Sequence, residues 1–317
     1  MAGPNAPLVS VIILTRNRRL LLEKHLGALL QTLDPSMFEL IVVDNASVDG
    51  SRDALNRLAE SYPGLKLVLN PVNRGVAGGR NDGLRVAQGE YLVLLDDDTS
   101  MRPEVLRAVP SLFAARERCG LLAFKVLNPI SGDWVNDHGT VARPVANFAG
   151  AAHALKREVL MRVGEFDELC TFGAEELDFS IRAHAAGYGT IYLPDMVAEH
   201  HSRPQPGGND SLRAENWTYN FVRVLFKHFP RPMATLYGAR FLIGVVIHEC
   251  SRVGPWLAAR LVNTAVRGRI DGIRVHRLVR PETVEFYRDT SLRPDFGNIP
   301  FSAKIRDRLR TRRAGRK

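Results

Sequence analysis

Apolar positions in the first hundred residues come as short, β-branched runs separated by stretches of helical spacing. VSVIIL (9–14), LIVVD (40–44), LKLVLN (65–70) and EYLVLLD (90–96) read as strands. LLLEKHLGALLQTL (20–33), RDALNRLAESY (52–62) and AGGRNDGLRVAQ (77–88) read as the helices between them. The strand runs are apolar on both faces, so the pattern predicts βαβ units and an α/β fold with a mostly parallel sheet covered on both sides. Ligands of such sheets bind beyond the carboxyl ends of the strands.

Residues 119–200 are less regular. GLLAFKVLNP (120–129) is apolar, Ser131-Gly132-Asp133 reads as a turn, and TIYLPDMVAEHH (190–201) reads as a further strand. RPQPGGND (203–210) has the composition of a hinge, and helical patterns cover 211–229 and 233–267. The longest later apolar run, Phe241 to Ile247, is far short of the roughly 20 residues of a membrane span, so no transmembrane helix is expected. LVSVIIL (8–14) is short and followed by its charges, which does not suit a secretory signal.

With 317 residues, 45% apolar and 24% charged, the chain is long enough for a sizeable core and ordinary for a globular protein. The formal net charge of +9 is concentrated at the end. Residues 303–317 carry eight Lys/Arg against one Asp, a net of +7. No aromatic residue interleaves that segment, which ranks nucleic acid behind water and an anionic lipid surface as its surroundings. The cysteines, Cys119, Cys170 and Cys250, show no paired spacing, which suits a reducing compartment and gives no metal or redox motif.

Three strand ends carry polar clusters: Thr15-Arg16-Asn17, Asp44-Asn45 and Asp96-Asp97-Asp98. Asp44 is placed to accept a hydrogen bond from the base or ribose of a nucleotide, while capping of the following helix is served better by Asp49 or Ser51. In extended geometry Asp96 and Asp98 point the same way, so the pair can clamp one hard divalent cation. NRGVAGGRNDG (73–83) lets backbone and guanidinium approach a phosphate, although close helix-to-sheet packing explains its glycines almost as well. Glu175, Glu176 and Asp178 crowd the start of an amphipathic helix, as acids in a first turn commonly do, and equally suit a general base. His200 and His201 suit either a metal ligand or a capping role.

Taken in order, VSVIILTRN (9–17), IVVDNASVDGS (41–51), NRGVAGGRNDG (73–83), YLVLLDDDT (91–99), the stretch from Asn147 to Glu168, EELDFSIRAHAAGY (175–188) and His200 resemble the inverting nucleotide-sugar glycosyltransferases of family 2 with the GT-A fold. The resemblance covers roughly residues 8–205. It implies a catalytic domain over 1–205, with a nucleotide-binding half at about 8–100 and an acceptor half at about 101–205. A helical region (206–280) and a basic tail (281–317) follow.

By this resemblance Thr15, Arg16, Asn17, Asp44, Asn73 and Arg80 line the nucleotide pocket, with Asp44 on the base. Asp96 and Asp98 match the D-x-D that holds Mn²⁺ or Mg²⁺, Asp97 serves the ribose or sugar, and His200 completes the metal or diphosphate site. Gly150, Ala151 and Ala152 form a wall near the donor sugar and acceptor. Where the family usually shows Glu-Asp this chain has Glu175-Glu176, so Glu176 is the best match for the catalytic base, with Glu175 and Asp178 as competitors.

The chain lacks Q-x-x-R-W after this helix, which looks unlike processive synthases and more like transferases of a single sugar, including rhamnosyltransferase-like members. The implied donor is a UDP-, dTDP- or GDP-sugar, and the implied acceptor a saccharide, a lipid-linked saccharide or a small molecule. A cytoplasmic location, peripheral contact with the inner membrane face through the basic C-terminal region, a homodimer through the C-terminal helices and no nucleic-acid partner complete the expectation. Rival readings are a nucleotidyltransferase and a non-catalytic nucleotide-sugar-binding protein.

Overall fold

The structure is a computed structural model, described for residues 7–62, 64–201, 210–252 and 254–289. The hinge expected at 203–210 up to residue 209, and the tail from 290 onward, lie outside the described residues. The first half alternates as expected: β1 (Val9–Thr15), α1 (Arg19–Thr32), β2 (Phe38–Asn45), α2 (Ser51–Ser61), β3 (Leu65–Asn70), α3 (Gly75–Val86) and β4 (Tyr91–Asp96). The middle comprises β5 (Thr99–Met101), α4 (Pro103–Ala114), β6 (Cys119–Leu127), β7 (Trp134–Asn136), β8 (Arg143–Pro144), β9 (Ala152–Lys156), α5 (Arg157–Val163), α6 (Glu175–Ala185) and β10 (Gly189–His200). Four helices follow: α7 (Asp210–His228), α8 (Arg231–Arg252), α9 (Leu257–Arg274) and α10 (Pro281–Arg288).

Two compact units result, one comprising Met1–Thr171 with Asp178–Pro204, the other Phe172–Leu177 with Gln205–Lys317. In the first, the strands lie in the order β3-β2-β1-β4-β9-β6-β10-β5. Pairing is parallel from β3 to β4 and between β6 and β10, while β9 runs antiparallel to both β4 and β6. Every residue of β2 is buried, in keeping with a strand covered on both faces. The antiparallel β9 was not foreseen, because AHALK is five residues of mixed type with no alternating pattern.

The glycines of α3 have a packing role. A Cβ at Gly83 would lie 2.5 Å from Ile12 Cγ2 and 3.0 Å from Val43 Cγ2, and one at Gly79 would collide with Leu14. The helix therefore sits directly on β1 and β2, and Arg80 is carried between these two close contacts. At the amino end of the strands, buried Glu39 accepts hydrogen bonds from Ser10 Oγ, Lys66 Nζ and the backbone N–H groups of Gln88 and Gly89. Burial alone would raise its pKa, but these donors and the Lys66 charge outweigh it and hold the carboxyl below its ordinary value.

In the second unit α7 packs against α8 and α9, with Phe241, Val245, Leu257 and Leu261 buried together. The helical pattern expected over 233–267 is broken, because Gly254 adopts φ +130° and Pro255 follows it. A further observation bears on the expectation of no transmembrane helix without overturning it. The α8 segment Arg231–Cys250, at mean hydropathy 1.2, is by length and composition apolar enough to cross a membrane, since alanines, glycines and Leu236 extend the short run Phe241–Ile247. Where the basic tail was expected to begin, α10 forms instead and buries Val284 and Tyr287.

Gly83→Ala should lower stability by about 1–3 kcal/mol in urea unfolding: overpacking against the β-branched Ile12 and Val43 outweighs the roughly 1 kcal/mol of helix propensity gained. Glu39 gives a pH dependence. Its depressed folded pKa means that its stabilisation is present above the ordinary value of 4.5 and is lost as pH falls through the folded value. Glu39→Gln should cost about 1–3 kcal/mol at neutral pH and flatten that acid limb in denaturation measured against pH.

Candidate active site

Backbone pairing in the first unit assembles the polar strand ends. Thr15 is in register with Asp44, and Leu14 with Asp96, so the ends of β1, β2 and β4 lie side by side. The chain then turns through Asp97 and Asp98 into β5, whose Thr99 pairs with His200 at the end of β10. The N–H of His201 donates to the Asp98 carbonyl at 2.8 Å. Asp98 and His200, about a hundred residues apart in sequence, are thereby brought to 3.0 Å between Oδ1 and Nε2.

One ligand atom from each of Asp96, Asp98 and His200 lies within 4.8 Å of the others. Two carboxylates and an imidazole suit a hard or borderline divalent cation such as Mg²⁺ or Mn²⁺. Among the described residues the buried Nδ1 of His200 has no hydrogen-bond partner, and the ring is held through Nε2. Burial would lower the His200 pKa, but the Asp98 hydrogen bond and the charges of Asp98, Asp96 and Asp97 raise it. Burial would likewise raise Asp98, whose contact with His200 and the Arg18 charge hold it low.

Asp97, between them in sequence, faces another set of groups. It accepts a 2.6 Å hydrogen bond from Thr15 Oγ1, and Arg18 Nε lies 3.8 Å away. Burial pushes its pKa up to about 7; the Thr15 bond and Arg18 oppose this, and the charges of Asp98 and Asp96 add to it. The turn after β4, and not strand alternation, thus separates Asp97 from the pair Asp96 and Asp98.

Arg80 is almost fully buried and donates to Asp96 Oδ1 at 3.1 Å and to the Gly150 carbonyl at 2.9 Å. The Asp96 N–H donates to the Ala151 carbonyl at 3.0 Å. Gly150 and Ala151 therefore reach Arg80 and Asp96 through backbone oxygens. Asn73 receives a 3.0 Å bond from Asn45 Nδ2, which fixes the loop that opens α3.

Asp44 is fully buried; its Oδ2 accepts from Arg52 Nε and Nη2 at 3.1 and 2.8 Å, while Oδ1 has no hydrogen-bond partner among the described residues. Asn17, at φ +55°, exchanges hydrogen bonds with the loop after β2 through Ser47 Oγ and the Val48 N–H. Arg16 is exposed. Arg52 and Arg18 were missed by sequence reasoning. Arg52 is eight positions after Asp44 in an ordinary amphipathic helix, and nothing in its spacing marks it.

The three acids of α6 divide by environment. Gly173 and Ala174 both adopt positive φ immediately before the helix, a strained entry that only Gly takes readily. Glu175 is 2% exposed and Glu176 is half-buried. Asp178 is fully buried and accepts from Arg182 Nε at 2.8 Å, while Arg182 also donates to the carbonyls of Val163 and Glu165. Asp178 is thus committed to an internal ion pair.

Residues 10–139 match glycosyl transferase family 2, and residues 91–266, more than half of the chain, match glycosyl transferase family group 2. The glycosyltransferase AglE of Haloferax volcanii is 26% identical over 214 residues, 62% of this chain and 68% of that protein. A GalNAc(5)-diNAcBac-PP-undecaprenol β-1,3-glucosyltransferase of Campylobacter jejuni is 36% identical over 96 residues, 30% of this chain and 31% of its own length. Among solved structures, the mannosyltransferase PcManGT of Pyrobaculum calidifontis, in complex with GDP-Man and Mn²⁺, superposes with a TM-score of 0.56 at 26% identity, over 83% of this chain and 76% of that one. With the GT-A architecture and the D-x-D at the end of β4, these matches show that the chain belongs to the family 2 glycosyltransferases.

Proposed function

We propose that the protein transfers one sugar from a nucleoside-diphosphate sugar to an acceptor hydroxyl in a single in-line displacement with inversion. The observation that carries this reading is the convergence of Asp96, Asp98 and His200 on one set of ligand atoms at the carboxyl ends of the strands. When bound there, Mn²⁺ or Mg²⁺ supplies positive charge to the diphosphate as it leaves. Asp44 Oδ1, buried and without a hydrogen-bond partner among the described residues, is an acceptor suited to a base N–H or a ribose O–H. Arg80 fixes Asp96 against the Gly150 carbonyl, and Thr15 holds Asp97.

Glu176 takes the proton of the attacking hydroxyl while the anomeric C–O bond to the diphosphate breaks and the new C–O bond forms. Its accessibility favours it over Asp178, whose carboxylate is held by Arg182. Glu175, buried beside it, is the remaining competitor. Family membership favours sugar transfer over nucleotidyl transfer and over binding alone.

GDP-mannose, the ligand of PcManGT, is the first donor to try, with UDP- and dTDP-sugars, including rhamnose donors, as the alternatives. The C. jejuni relative acts on a lipid-linked saccharide, which makes that acceptor class the first choice. The proposal includes a cytoplasmic place of action, which the free cysteines suit. It also includes peripheral contact with the membrane through the C-terminal region.

Asp98→Ala should lower kcat/KM by roughly 10²–10³-fold, a loss of several kcal/mol of charge stabilisation, with the thermal midpoint little changed. Full activity in excess chelator would remove the metal from the mechanism. Glu176→Gln should leave donor KM near normal and reduce kcat by about 10²–10⁴-fold; the same signature in Glu175→Gln instead would move the base there. Product NMR should show the anomeric configuration inverted, and retention would overturn the single displacement.

A further inference from the structure

Positive charge is concentrated in a second place besides the terminal tail. Residues 231–280 carry nine arginines against only Glu249 and Asp271, a net of +7, which together with the +7 of 303–317 leaves the remaining residues at −5. Both acids are engaged within the unit: Glu249 is buried beside His248, and Asp271 accepts from Tyr219 and Arg274. The guanidinium groups of Arg240, Arg267, Arg269, Arg277 and Arg280 belong to exposed residues.

Large apolar side chains are exposed among them. On α8, Leu236, Ile243 and Ile247 are 55%, 61% and 54% exposed and share one helical face with Arg240. On α9, Val262, Val266 and Ile270 are 47%, 49% and 45% exposed at four-residue spacing, with Arg269 on the same side. The two helices pack on each other through Phe241, Val245, Leu257 and Leu261. At the turn between them Trp256 is half exposed, with the Arg260 guanidinium over its ring.

We infer that the outward faces of α8 and α9, joined at Trp256, form a docking surface for an anionic lipid bilayer. Aliphatic side chains interspersed with arginine, with an indole at the turn, are the chemistry of a helix lying in the headgroup boundary. A second copy of the chain is disfavoured as the occupant, because a two-fold contact through this face would set arginines against arginines. A crossing by α8 alone would strip Phe241 and Val245 from their partners in the helical bundle. The inference deepens the membrane-contact reading of the preceding subsection by assigning the contact to the folded helices, and it does not depend on the sugar-transfer chemistry.

Cosedimentation of the full-length protein with phosphatidylglycerol-rich vesicles, with phosphatidylcholine vesicles as the comparison, tests it. Binding to the anionic vesicles should be at least about tenfold stronger and weaken with salt. The variant I243S/I247S/V266S should lose about tenfold or more while keeping its thermal midpoint. R240Q/R267Q/R269Q should lose the salt-sensitive part, which keeps the test decisive if the first variant is unstable. A tail variant, K304Q/R306Q/R308Q/R310Q/R312Q/R313Q, should retain most of the binding. Loss in the tail variant alone would leave the protein a membrane binder and overturn this assignment. Equal binding to neutral vesicles, wild-type binding by both helix variants, or a dimer in light scattering that I243S/I247S/V266S dissociates would overturn it as well.

Discussion

Crowding of carboxylates at the end of a buried strand is the constraint on which the site depends. Asp96, Asp97 and Asp98 follow the apolar run of β4 directly, and no three anions can share that space without compensation. The fold compensates in two directions. Arg80 and His200 face Asp96 and Asp98, while Thr15 and Arg18 face Asp97, whose pKa is still pushed up to about 7 by burial and by its neighbours' charge. The short β5–β10 pairing exists at the point where it holds His200 against this turn. A cation between Asp96, Asp98 and His200 would remove the residual repulsion and present a charge to a diphosphate.

Much of this was legible in the chain. The four β-branched runs and the helices between them gave the parallel half of the sheet, because strands buried on both faces leave a signal that single residues rarely blur. Asp44, Asp96 and Asp98 were legible because a carboxylate at the end of an apolar run is unusual. β9 was not, since its five residues carry no period and its place depends on partners both before and after it in the chain. The glycines of α3 admitted two readings, and the contacts of Gly79 and Gly83 with Leu14 and Ile12 show that packing accounts for them.

Among the acids of α6, only the family resemblance ranked Glu176 ahead of Asp178, and nothing in their spacing separates them. The separation comes from Arg182, one turn on, whose side chain also meets the carbonyls of Val163 and Glu165, and that meeting is a tertiary fact. Charge is legible in the chain only in part. The terminal run of basic residues drew notice because it is contiguous, whereas the arginines of α8 and α9 are spread through apolar sequence and become a surface only once the helices are folded.

The central claim is that the cluster is built for a divalent cation that replaces a proton. Titration calorimetry of Mn²⁺ in the presence of a nucleoside diphosphate, at about pH 6 and about pH 8 and in buffers of different ionisation enthalpy, tests this most directly. The account predicts one saturable site, release of protons from His200 and Asp97 on binding, and tighter binding at the higher pH. Saturable binding without proton release or pH dependence, or no binding at either pH, would contradict it.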